Sequence, residues 1–192
     1  AKLANAFNAL GALTDDFDAD LVETTLLSDY RTAIAEETIV TKKNTATLLQ
    51  GIVTTINGNK LSEIEAAIAA TDADTTEADL LALLQSPVIG LENVNAAYIA
   101  EYKAALIAET TDTNKNAKAA IQTNIIDAVN TAQDEDARLV AVNEATTAEE
   151  MRTALTAVAI AEDLTDYINL SSQGKLEVAE LVLADRADKE GE

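Results

Sequence analysis

Asp15-Asp16-Phe17-Asp18-Ala19-Asp20 sets carboxylates at alternate positions. A calcium loop begins with this spacing, because several oxygens must converge on one hard cation. The pattern then departs from a full loop: Leu21 stands where the loop takes its Gly, and Leu27 where it takes a bidentate Glu. Thr71-Asp72-Ala73-Asp74-Thr75 repeats the alternation in shorter form. Asp16, Asp18, Asp20, Asp72 and Asp74 are therefore the candidate metal ligands, with calcium as the cation. The competing reading is carboxylates solvated beside helix starts, where they favour the helix dipole.

Other chemistry finds less support. The chain has no His and no Cys, which removes imidazole acid/base work, thiolate nucleophiles, disulfides and Cys/His zinc sites together. Paired carboxylates could cleave glycosides, but among 34 acids pairs occur at every spacing, and a sugar-cleaving site stacks its substrate on aromatic rings. There is no Trp, and aromatics are only 3% of the chain. The six glycines are scattered and form no phosphate loop. No catalytic residue and no organic cofactor is expected, and the chain reads as non-enzymatic. Tyr30 and Tyr102, each followed by a basic residue, could line a ligand groove; the commoner use is a ring packed between helices with its hydroxyl at the surface.

The formal charge is −21, from 34 acidic against 13 basic side chains. Phosphate backbones and anionic lipid are repelled, so nucleic acid is not an expected partner. Apolar runs such as Leu80 to Leu84 stop far short of the ~20 residues that cross a bilayer, so no membrane insertion is expected. A start at Ala1 fits a chain whose secretion signal has been removed, and fits a recombinant chain equally.

The positioning elements are legible through a repeat. Thr75 to Leu84 reads TTEADLLALL and Thr146 to Leu155 reads TTAEEMRTAL, 71 residues apart. Arg31, Lys103 and Lys175 are separated by 72 positions, as are Ile34, Leu106 and Val178. Tyr30 matches Tyr102, Asn44 matches Asn116 and Gln50 matches Gln122; one extra residue then aligns Asn57 with Asn130, and Gly174 takes the Tyr position in the third copy. At a spacing of 71, Ile68 matches Leu139, Leu80 matches Met151, Leu84 matches Leu155 and Ile89 matches Ile160. A period near 72 with small slips is a structural unit repeated.

Each unit reads as three helical segments. In the second copy these are Thr75 to Gln85, capped by Thr76 and stopped at Ser86-Pro87; about Asn95 to Glu109; and about Asn116 to Asn143. In the last, Ile121, Ile125, Ala128, Ala132 and Leu139 follow a helical period. In the third copy Thr147 and Glu150 form a capping box. In the first, Gly58 and a second capping box at Ser62-Glu63-Ile64-Glu65 predict a bend between about Asn44 and Ala70. Ile39-Val40-Thr41 and Val88-Ile89-Gly90 read as short apolar patches in loops. The expected fold is all-α: tandem three-helix repeats joined by long helices in an elongated array, with repeats at 1–71, 72–143 and, truncated, 144–192. Leu106 and Leu155 are expected in the core.

AQDEDARLVAVNEATTAEEMRTAL and LTDYINLSSQGKLEVAELVLADR resemble the helical repeats of surface and S-layer-associated proteins of Bacilli and related Gram-positive bacteria. The pattern falls on Val142, Asn143, Ala145, Thr147, Glu150, Met151, Arg152, Ala154 and Leu155, then Asp163, Leu164 and Tyr167, then Val178, Ala179, Val182, Leu183 and Arg186. Ser86 to Asn95 resembles a loop of the same family. The resemblance implies an extracellular, cell-surface structural or adhesive module without catalytic residues.

The leading expectation is a secreted structural protein whose copies assemble into a filament, sheath or surface layer. The alternative is an adhesion module that recognises a cell-wall glycan or a host protein. In the first case Leu176, Val178, Leu181 and Val182 divide their burial between their own unit and a neighbour, and Arg31, Lys103 and Lys175 pair with acids. Calcium held by the acidic loops could bridge subunits.

Overall fold

The computed structural model describes residues 2–38 and 45–190, with side chains through 187. Asn44 and the Ile39-Val40-Thr41 patch lie outside the described residues. Every regular element described is helical, and no strand occurs among the described residues. The chain forms two compact units, Ala1–Val129 and Asn130–Glu192.

The first unit opens with α1 (Lys2–Gly11), two 3₁₀ turns (Ala19–Leu21 and Thr24–Leu26) and α2 (Leu27–Glu36). α3 (Ala46–Ala69) comes next, its first turn capped by Thr45, whose hydroxyl accepts from the Leu48 amide. Phe7, Phe17, Leu26, Tyr30 and Val53 fill the space between them, with Phe7 stacked on Phe17 at 5.2 Å and edge-on to Tyr30 at 6.0 Å. α4 (Glu77–Leu84) and α5 (Ile99–Ala108) then pack with the second half of α3. Thr76 caps α4, accepting from the Asp79 amide, and the helix ends before Pro87. Ile64, Ile68, Leu80, Leu84, Tyr102 and Leu106 lie in this second core.

α3 corrects the expected bend. It runs unbroken through Gly58, and Ser62 donates its hydroxyl to the Gly58 carbonyl instead of capping a new helix. A serine mid-helix bonds back one turn when no free first-turn amide is within reach.

The long segment after α5 consists of α6 (Lys118–Ile121), a π-helical stretch (Gln122–Asp127) and α7 (Ala128–Glu144). A π turn holds one residue more than an α turn. Its place is that of the one-residue slip between Gln50-to-Asn57 and Gln122-to-Asn130, where the second copy carries the extra residue. In and after this stretch neighbouring Ile125 and Ile126 are both buried, whereas Ala128, Ala132 and Leu139, expected on the buried stripe, are exposed.

The second unit contains most of α7, then α8 (Ala148–Ala161), α9 (Thr165–Ile168) and α10 (Ser172–Glu190). α8 starts in the expected capping box of Thr147 and Glu150. Val158 stands where the second copy has Pro87, so α8 runs on to Ala161 and stops at Asp163. There a left-handed residue (φ 50°) lets the Leu164 amide reach the Ala159 carbonyl. Met151, Ala145 and Ala179 form the core, with Val142, Leu155, Val182 and Leu183 packed against it. Leu106 is fully buried as expected, but Leu155 is only half-buried at the edge of its unit's core. Arg186 of α10 donates to the carbonyls of Val142 (3.0 Å), Asn143 (2.7 Å) and Ala145. One guanidinium thus satisfies several carbonyls at the end of α7 that the helix itself leaves unpaired.

The helix-interior glycines and the Arg186 tie both bear on stability. Gly51 and Gly58 sit inside α3, and a methyl group added at either meets nothing within 4 Å. Gly58→Ala and Gly51→Ala should therefore each stabilise the protein by about 0.5–1 kcal/mol, read as a raised midpoint in thermal or urea denaturation. Arg186→Ala should destabilise the second unit by about 1–3 kcal/mol through stranded carbonyls, with Arg186→Lys recovering only part, in urea melts monitored by circular dichroism.

Candidate functional site

In each acidic loop one carboxylate, Asp18 in the first and Asp72 in the second, bonds to its own backbone. Asp18 accepts from the Asp20 amide at 2.9 Å, and its own amide donates to the Gln50 side-chain oxygen at 2.8 Å. Asp72 Oδ1 accepts from the Asp74 amide at 3.0 Å, the Thr75 amide at 2.9 Å and the Thr75 hydroxyl at 3.0 Å. The Thr75 bonds, its hydroxyl first, hold the Asp72 carboxyl below its ordinary range. Asp16, Asp18, Asp20, Asp72 and Asp74 are all exposed, and no group of three or more acidic, His or Cys side chains able to hold a metal occurs among the described residues.

The tyrosine rings pack between helices as expected, but their hydroxyls bond to loops instead of standing at the surface. Tyr30 and Tyr102 are fully buried, and their hydroxyls point into loops. The Tyr30 hydroxyl accepts from the Glu23 amide at 3.1 Å and donates to Asn57, which in turn donates to the Leu21 carbonyl at 2.7 Å. Tyr102 accepts from the Asn95 amide, also seven residues back and also at 3.1 Å. Gln50 and Gln122 match as well: Gln122 accepts from the Glu92 amide at 2.8 Å, as Gln50 does from Asp18, and it also donates to the Glu92 carbonyl at 3.1 Å. These side chains tie loops to helices and leave no groove at the phenols. Their polar identity at two repeat positions was the signal for this role.

The three recurring cations do three different things. Lys103 donates to the Ala73 carbonyl at 2.8 Å, in the loop after α3. Lys175 lies over the Tyr167 ring, 5.7 Å from its centre. Arg31 is exposed and, with Lys2, flanks an apolar recess between α1 and α2 lined by Leu3, Ala6, Leu27 and Ser28.

Apolar surface concentrates in the second unit. Leu139 is 58% exposed where its match Ile68 is wholly buried, and Ile160 is 67% exposed where its match Ile89 is 1% exposed. Ala137, Ala141, Ala157 and Ile160 line an open groove between α7 and α8. Of the expected interface residues on α10, Leu176, Val178 and Val182 are half-buried, and Leu181 is 70% exposed.

Burial pushes the Tyr30 phenol above its ordinary value, so the neutral form is favoured in the folded state. That contribution is complete below the ordinary phenol range and is lost as the pH rises through the raised value. Tyr30→Phe should destabilise the first unit by about 1–2 kcal/mol by stranding the Glu23 amide and Asn57, and should remove the part of the alkaline loss that Tyr30 supplies in pH-dependent urea melts. No protein-family model, no curated protein and no solved structure matches this chain.

Proposed function

We propose that this chain is a secreted, non-enzymatic structural protein, built from tandem three-helix repeats, that assembles with its own copies into an extracellular filament, sheath or surface layer at the cell surface. The observation that carries the reading is the apolar surface of the second unit: Leu139 and Ile160, whose repeat matches are buried, stand open together with Leu181. A unit of this size with a core of one Met and several Ala is short of buried area, and a copy of the same chain offers apolar surface of the same kind. Repeat units that stack within a chain can also stack between chains. Calcium is not assigned a site.

Subunits that each carry −21 repel one another over the Debye length, ~30 Å at 0.01 M salt and ~8 Å at 0.15 M. Assembly should therefore strengthen as NaCl rises across that range, and calcium and magnesium at matched ionic strength should act alike. Light scattering with electron microscopy reads both. Leu139→Ser combined with Ile160→Ser should weaken assembly while leaving helicity intact. A wild-type chain that stays monomeric at every salt concentration and high protein concentration would overturn the proposal and favour a binding module instead.

A further inference from the structure

Within a chain of net charge −21, the recess between α1 and α2 stands out because it carries Lys2 and Arg31 and no acid among its lining residues. Its floor is apolar: Leu3, Ala6 and Leu27. The same unit holds a matched arrangement in its second half. Ala78, Ile99 and Lys103 match Ala6, Leu27 and Arg31 at a spacing of 72. There a helix lies in the same core: Ile64 and Ile68, in the last two turns of α3, share it with Ile99, and Lys103 grips the Ala73 carbonyl just beyond that helix. Ile99 is accordingly buried and Lys103 half-buried, whereas Leu27 is half-buried and Arg31 exposed. The arrangement is one that takes a helix with an apolar face and a negative rim.

α10 carries such a face. Leu181, 70% exposed, is flanked one turn to either side by Glu177 and Asp185 and preceded by Glu180, all on the exposed surface of the helix. Its opposite side, Ala179, Val182 and Leu183, is engaged in its own unit's core. From this complementarity of charge and apolar surface we propose that the α1/α2 recess of one copy binds the Leu181 face of α10 from a second copy of this chain. Arg31 and Lys2 meet Glu177, Glu180 and Asp185, and Leu181 sits on Ala6 and Leu27. The contact joins unlike surfaces, so each copy keeps one of each free for the next, and the association need not close. This rests on the self-assembly reading and names one contact within it, separate from the face that carries Leu139 and Ile160.

The chain has no cysteine, so single introduced cysteines report the contact directly. Chains bearing Ala6→Cys and chains bearing Leu181→Cys, mixed under mild oxidation, should give a mixed disulfide dimer. A control mixture of Leu13→Cys with Leu181→Cys should not, because Leu13 is 83% exposed and away from the recess. In sedimentation of the intact chain, Arg31→Glu should weaken self-association about tenfold, and Glu177→Lys should restore much of that loss in the double variant. Circular dichroism checks that each variant is folded. Equal trapping by both mixtures, or assembly indifferent to Arg31→Glu and Leu181→Ser, would overturn this interface while leaving self-assembly standing. Wild-type chains that never associate would overturn both. A contact with some other protein would show as monomers that never cross-link to one another, and counts against the proposal.

Discussion

A tyrosine buried to its last atom must bring its hydroxyl to a partner, and the first unit is arranged around that requirement twice. Tyr30 and Tyr102 are the largest fully buried side chains in a protein that has few large ones. Each ring fills a volume that Ala-rich helices would leave empty, and each hydroxyl reaches an amide seven residues back. That reach fixes the loop ahead of the helix, which then carries the residues held by Gln50 or Gln122. Packing and loop geometry are thus set by one side chain.

The second unit lacks that anchor and packs differently. Gly174 occupies the tyrosine position, and the core falls back on Met151 with Ala145, Ala154, Ala159 and Ala179. Arg186 supplies a different tie, from α10 to the carbonyls that end α7. Polar anchoring of this kind orders a helix end, but it buries little apolar area. Leu139, Ile160 and Leu181 remain in water.

Much of this was legible in the residues. Capping by Thr76 and Thr147, and the stop at Pro87, rest on local chemistry that a short stretch of sequence specifies, and they stand in the structure. The all-helical class is implied by composition and period. Features decided by neighbours are the ones that sequence misjudges. Ser62-Glu63-Ile64-Glu65 has the letters of a capping box, but a helix already in progress leaves no free amide to cap. Leu155 sits on the right face, yet it reaches only the edge of the core and stays half-buried. Counting 3.6 residues per turn puts Leu139 on the buried stripe, and the helix ahead of it does not keep that count.

The wide turn responsible, Gln122–Asp127, bears on how such a chain can change over generations. An added residue in a packed helix turns everything after it by about 100°, which ordinarily removes the whole apolar stripe from its core. A single wide turn swallows the addition instead, keeping Gln122 on its loop while Ile125 and Ile126 share the buried side. A helix with such a turn can therefore gain a residue without losing the packing that follows it.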